Sequence, residues 1–130
     1  MDKRITIALD GGAGVGKGVT AKGVAKMLGY VYVDTGAMYR AVTLYVLEHT
    51  IDPADREQVE TSLENMEISY TVDAVSGNNQ IWLNGVNIND AIRTHVVNES
   101  VAIVASYPQV REFLRKQQRI LAEQGGVVME

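Results

Sequence analysis

The sequence predicts an α/β fold: an incomplete parallel sheet flanked by helices, with a small antiparallel β insert. Three observations carry that reading. Short apolar runs at residues 4–9 and 30–33 are each followed by apolar residues at helical spacing. A two-residue period then appears at residues 67–73, ahead of a Ser-Gly-Asn-Asn turn. A further apolar run opens at Val127, behind Gly125-Gly126. Alternation of strand and helix calls for parallel strands joined by crossover helices, whereas the middle segment has the pattern of a hairpin.

Residues 4–9 (Arg-Ile-Thr-Ile-Ala-Leu) are compact and β-rich and run into Asp10 and a glycine cluster, which reads as a buried strand and a tight turn. Ala21, Val24, Ala25 and Leu28 follow the i, i+3, i+4, i+7 spacing of one helix face, and Gly29 stops that helix. Residues 30–33 form a second strand, and Met38, Ala41, Val42 and Tyr45 mark the next helix. After Pro53, Val59, Leu63 and Met66 give a short helix. Ile68, Tyr70 and Val72 alternate with Glu67, Ser69, Thr71 and Asp73 as in a half-exposed strand, and residues 80–84 return after the turn. Two helices follow, the second behind Pro108 with Val110, Phe113, Leu114 and Leu121 on one face. The chain thus divides into residues 1–50, the first half of the core; 51–95, the insert; and 96–130, helices returning to the core and the start of another core strand.

With 130 residues, 46% hydrophobic and 22% charged, the composition is that of one soluble globular domain. A net charge of -4 is not that of a chain that tracks a polyphosphate, so no nucleic-acid partner is expected. The absence of cysteine rules out disulfides and thiolate metal sites and fits a cytoplasmic protein. The first apolar run is shorter than a signal peptide's and far too short to span a bilayer, so no membrane partner is expected either.

Gly11-Gly12-Ala13-Gly14-Val15-Gly16-Lys17 fits the first seven positions of G-x-x-x-x-G-K-[ST], set between a strand and a helix. In such a P-loop the glycines let successive N–H groups face the phosphates of ATP, and the helix N-terminus adds its positive end. The competing reading is a glycine-rich turn with an exposed lysine, and the flanking strand and helix oppose it. Residues 11–20, ending Lys17-Gly18-Val19-Thr20, are therefore the candidate ATP cradle, with Lys17 the catalytic charge between the β- and γ-phosphates. The motif places a hydroxyl for Mg²⁺ after the lysine, where this chain has Gly18 and then Val19. Thr20 is the remaining candidate ligand, about 100° further round the helix. The expected cofactor is ATP with Mg²⁺.

Asp34-Thr35-Gly36-Ala37-Met38-Tyr39-Arg40 begins at the carboxyl end of the second strand, where ligands of parallel sheets bind. Thr35 suits either a helix cap or a ligand contact, Gly36 permits close backbone approach, and Arg40 offers a fork for phosphate. Spacing alone leaves capping and binding even. This segment resembles the D-[ST]-G-A-[MI]-Y-R signature of the cytidylate kinases. Asp10 to Gly18 resembles that family's D-G-P-x-G-x-G-K-[GS] loop, with Gly12 in place of proline. Ile92-Arg93-Thr94, the Ala105 to Arg111 stretch (A-x-x-P-x-V-R) and Gln118-Arg119 match further family segments in order. The resemblance implies the P-loop nucleoside monophosphate kinase fold, with the insert as part of the CMP-binding region.

Carried over by position, the resemblance implies that Thr35, Gly36, Tyr39, Arg40, Arg93 and Arg111 bind CMP or dCMP, which ATP phosphorylates to CDP in pyrimidine metabolism. Without it, Arg111 reads as a solvated helix residue. The base-reading serine that the family often carries three residues before A-x-x-P is Ala102 here. His49 and His95 read as surface or turn residues without suitable partners nearby in sequence, and Glu57, Glu60 and Glu64 as a solvated helix face. The family's Gly-Arg-Asp segment, arginine-bearing lid and last core strands find no match, so the chain is expected to be an N-terminal portion, inactive or weak alone. Its first strand is expected to be an open edge through which copies self-associate. Two alternatives stand beside this reading: a non-catalytic nucleotide-binding fragment, and another small-molecule P-loop kinase.

Overall fold

Two three-stranded sheets organise the computed structural model, which describes residues 6–8 and 17–129, with side chains at Thr6 and Ile7 and from Ala21 onward. The first sheet is parallel, in the order β1 (Thr6–Ala8), β6 (Val127–Met129), β2 (Val31–Val33). The second is antiparallel, in the order β3 (Ile68–Val72), β4 (Asn79–Leu83), β5 (Val86–Asn87). The expected parallel core with an antiparallel insert is what forms.

Helices cover both faces of the parallel sheet, so successive strand residues meet different partners. Tyr32 and Val128 face α1 (Lys17–Leu28) and cluster with Ala21 and Ala25, with Ile7 packed alongside. Val33 and Val127 turn the other way, into the main core with Met38 and Val42 of α2 (Thr35–Glu48) and Val110 and Leu114 of α5 (Pro108–Gln124). Every residue of α2 from Ala41 to Val46 is buried, as befits a helix surrounded by others. Its wholly buried Thr43 satisfies its hydroxyl on the Tyr39 carbonyl at 2.9 Å. Leu28 departs from the expected apolar face of α1 and is 47% exposed, because the helix ends there. Gly29, at φ +68°, turns the chain so that the Tyr30 amide donates back to the Ala25 carbonyl at 2.8 Å.

The insert begins with α3 (Arg56–Ser62), capped by the Asp55 carboxylate on the Gln58 amide at 3.2 Å. Val59, Leu63 and Met66 are all buried behind it, as their spacing requires. The β3–β4 register runs from Ile68 opposite Leu83 to Val72 opposite Asn79. β5 was not among the expected elements. It follows from Asn84 and Gly85, whose φ values of 50° and 80° make the two-residue turn that an Asn-Gly pair favours. Beyond it, α4 (His95–Ala105) and α5 return to the core. The Tyr107 hydroxyl at their junction donates to the Pro53 carbonyl at 2.7 Å.

Asparagine side chains join these parts. On β2, Tyr32 directs its backbone groups away from β6, toward an edge that another strand would pair. Asn79 meets them instead: its Oδ1 accepts from the Tyr32 amide at 3.2 Å and its Nδ2 donates to the Tyr32 carbonyl at 2.7 Å. Asn89 does the same within the insert, accepting from the Ile81 amide at 2.8 Å and donating to the Asn79 carbonyl at 3.3 Å. Asn84 accepts from the Glu67 amide at 2.8 Å and donates to the Asn65 carbonyl at 2.9 Å. Replacing Asn79 with Ala removes both of these hydrogen bonds from a half-buried seam, and urea denaturation should show a loss of about 1–3 kcal/mol. A change below about 0.3 kcal/mol would mean that the seam does not depend on this amide.

Candidate functional site

Parallel pairing brings two distant segments to one edge of the sheet. Ala8, the last residue of β1, and Val33, the last of β2, both register with Met129 of β6. With strands about 4.8 Å apart, the two chain exits lie about 10 Å from each other. One exit leads by residues 9–16 to α1, which starts at Lys17; the other leads directly into α2 through Asp34. The glycine run of Gly11, Gly12, Ala13, Gly14, Val15 and Gly16 lies outside the described residues, as do the side chains of Lys17, Val19 and Thr20.

The start of α2 settles which residue caps it. Asp34 does: its Oδ1 accepts from the Gly36 amide at 2.9 Å. Among the described residues the hydroxyl of Thr35 has no hydrogen-bond partner, so it is free for another role. Gly36 has a local reason to be glycine, since a Cβ there would sit 3.2 Å from the capping oxygen. The Asp34 carbonyl in turn accepts from the Tyr70 hydroxyl at 3.0 Å, which ties β3 to the helix start.

A cleft of about 570 Å³ opens between α1, the end of β2 and the insert. Lys22, Lys26, Asp34, Tyr70, Asp90 and Arg93 are among its walls. Lys22 holds its ammonium 5.6 Å from the centre of the Tyr32 ring, a cation–π contact at the cleft margin. Among the described residues, Arg93 is the one expected CMP contact that lines this cleft. Arg40 is half-buried on the α2–α4 side, where its Nη1 donates to Asn98 Oδ1 at 2.5 Å. Tyr39 is half-buried beside it in sequence and packs against the main core. Arg111 is exposed in a separate shallow groove with Gln109 and Arg115. The fold therefore gathers Asp34, Thr35 and Gly36 at the sheet edge, and Asp34 and Arg93 both line the cleft. Arg40 and Arg111 stand on helices to the side.

Tyr70 and Asn79 belong to this region although the sequence reading gave them only strand and turn positions. Tyr70 shares the apolar alternation of β3, which conceals its hydrogen bond; no local signal marks Asn79 as a bridge. His95, contrary to expectation, has a partner close in sequence: its Nε2 lies 2.6 Å from Glu99 Oε1, one helical turn on and exposed. His49 stacks on Tyr45 at a centroid distance of 3.8 Å and bonds its carbonyl through Nδ1 at 2.9 Å. Both histidines thus have local roles.

Burial, with lesser contributions from the Asp34 carboxylate and Tyr32, pushes the Tyr70 phenol far above its ordinary pKa of 10.0. A raised folded-state pKa contributes stability that is fully present below the unfolded value and is lost as pH rises past it. Wild-type stability should therefore fall above about pH 10. Tyr70→Phe, which loses the bond to Asp34, should be less stable at neutral pH with a shallower decline. Parallel declines in chemical denaturation would show that Tyr70 does not carry the effect.

Among the described residues no helix is long and apolar enough to cross a membrane. A family model described as "Cytidylate kinase" matches residues 7–130. Curated cytidylate kinases of Bacillus thuringiensis (strain Al Hakam), Bacillus cereus (strain AH187) and Bacillus anthracis (strain A0248) are each 46% identical to the chain over 132 aligned positions. The alignments take in 100% of this chain and 57% of each relative, so the chain spans a little over half the length of the relatives it matches. A match across nearly every described element, from β1 to β6, makes the chain a member of the cytidylate kinase family.

Proposed function

We propose that this chain binds ATP through residues 11–20 and CMP or dCMP through residues around the start of α2, for phosphoryl transfer giving CDP. The observation that supports the reading is the shared register of Ala8 and Val33 on Met129, which brings the strand ends ahead of the two candidate segments to one sheet edge. In transfer, an oxygen of the CMP phosphate bonds to the γ-phosphorus while the bond to the β,γ-bridging oxygen breaks, and ADP leaves. Positioning and charge neutralisation are what the protein supplies.

The start of α1 at Lys17, directly after the glycine run, fits a phosphate cradle with a helix N-terminus behind it. Among the described residues no group of three or more His, Asp or Glu side chains could hold a metal ion. Magnesium would come with the nucleotide's own phosphates, and Thr20 is the nearest hydroxyl in sequence after Lys17. For CMP, the Thr35 hydroxyl and the Gly36 backbone stand at the sheet edge with Arg93 on the cleft, and the family resemblance adds Tyr39, Arg40 and Arg111 from the helices to the side. A cytoplasmic setting belongs to the same reading. So does self-association: among the described strands β1 pairs only with β6 and keeps an open edge.

The chain's span of 57% of its relatives favours a second reading, in which it binds nucleotides with little or no transfer. Two measurements separate the possibilities. Calorimetric titration should show CMP bound at least about tenfold tighter than AMP, a difference of about 1.4 kcal/mol, and a preference for AMP would overturn the cytidine assignment. Coupled detection of ADP release with ATP and CMP separates the readings: turnover supports the enzyme, and binding without turnover supports the fragment. Val19→Thr should tighten Mg·ATP binding several-fold, and unchanged affinity would mean that Thr20 or water already serves. A monomeric mass by light scattering at high concentration would rule out self-association.

A further inference from the structure

We infer that Asn98 is a positioning residue that holds the Arg40 guanidinium ready for the phosphate of the nucleoside monophosphate. This rests on the reading of Arg40 as a phosphate contact and adds a residue that the reading lacks. Arg40 and Asn98 are 58 positions apart and meet across the seam between α2 and α4, where Arg40 Nη1 donates to Asn98 Oδ1. The seam is rigid on its inner side: Val97, the residue before Asn98, and Ala41 and Val42, just after Arg40, are buried in the main core.

The choice of acceptor matters. Arg56 pairs with Glu60, and Arg115 and Arg119 with Glu112, so their charges are partly matched by carboxylates. Among the described residues Arg40 has no carboxylate partner; a neutral amide oxygen holds it. An amide oxygen restrains the guanidinium without cancelling its charge, and it occupies one of five N–H donors, leaving the rest of the fork for an anion. An arginine ordered before the ligand arrives also loses less rotamer freedom on binding. An ordinary packing bond between two helices would share the geometry, but its loss would affect stability and every ligand alike.

The test compares CMP with cytidine, which lacks the phosphate, by calorimetry on the whole chain. Arg40→Ala should lower the preference for CMP over cytidine by about tenfold or more, the scale of a charge-assisted bond. Asn98→Ala should lower it about threefold to tenfold with cytidine affinity unchanged, and should add nothing in the Arg40→Ala background. Equal weakening of both ligands, an unchanged preference, or an effect that persists without Arg40 would each overturn the role of Asn98. No CMP binding, or a preference untouched by Arg40→Ala, would instead sink the phosphate reading on which it rests. A ligand-free measurement checks the pairing itself. Arginine-labelled NMR spectra should show restricted Arg40 Nη groups in the wild type and averaged ones in Asn98→Ala. Averaged signals in both would show that the amide does not hold the fork.

Discussion

One side-chain amide fixes how the two sheets meet. β2 has only three residues, and its outer edge carries an amide and a carbonyl of Tyr32 that a fourth strand would ordinarily pair. Asn79, the first residue of β4, supplies a donor and an acceptor in the same spacing and so stands in for that strand. The insert is thereby seated at the edge of the parallel sheet, and the sheet gains an end without an exposed ladder. Tyr70 adds a second fastening two residues below the β3 end, onto the Asp34 carbonyl. Because Asp34 also caps α2, the position of the insert and the geometry of the helix start are set together.

The sheet itself depends on β6. Its Val128 faces α1 while Val127 faces α2 and α5, so one three-residue strand holds both hydrophobic clusters in register. Gly125 and Gly126, with φ values of 73° and 71°, let the chain leave α5 and enter that slot within two residues. Side chains at either would strain this turn.

Much of this was legible in the sequence because its causes are local. Periodicity gave the helices and strands, glycines gave their ends, and Met38, Ala41, Val42, Val59, Val110 and Leu114 are buried where spacing places them. The antiparallel insert followed from alternation at Ile68, Tyr70 and Val72. What could not be read were contacts between residues far apart. Asn79 reads as a turn residue and Asn84 as the end of a strand, and only the fold shows these two and Asn89 acting as backbone surrogates. Thr35 reads as a cap or a ligand contact, and the cap proves to be Asp34. The Arg40–Asn98 bond spans 58 positions and leaves no periodic trace.

The central place of β6 also bears on how the chain acquires its structure. β1 and β2 do not pair with each other; each waits for a strand that comes about a hundred residues later, and the Thr6 hydroxyl reaches the Ala122 carbonyl across 116 positions. Contacts of such long range close large loops and form slowly. During synthesis, α1 and β2 would be complete while the slot between the first two strands still lacked its occupant. Until residues 127–129 arrive, β1 and β2 lack the strand that joins them, and the growing chain exposes two short apolar edges that a chaperone or another nascent chain could bind.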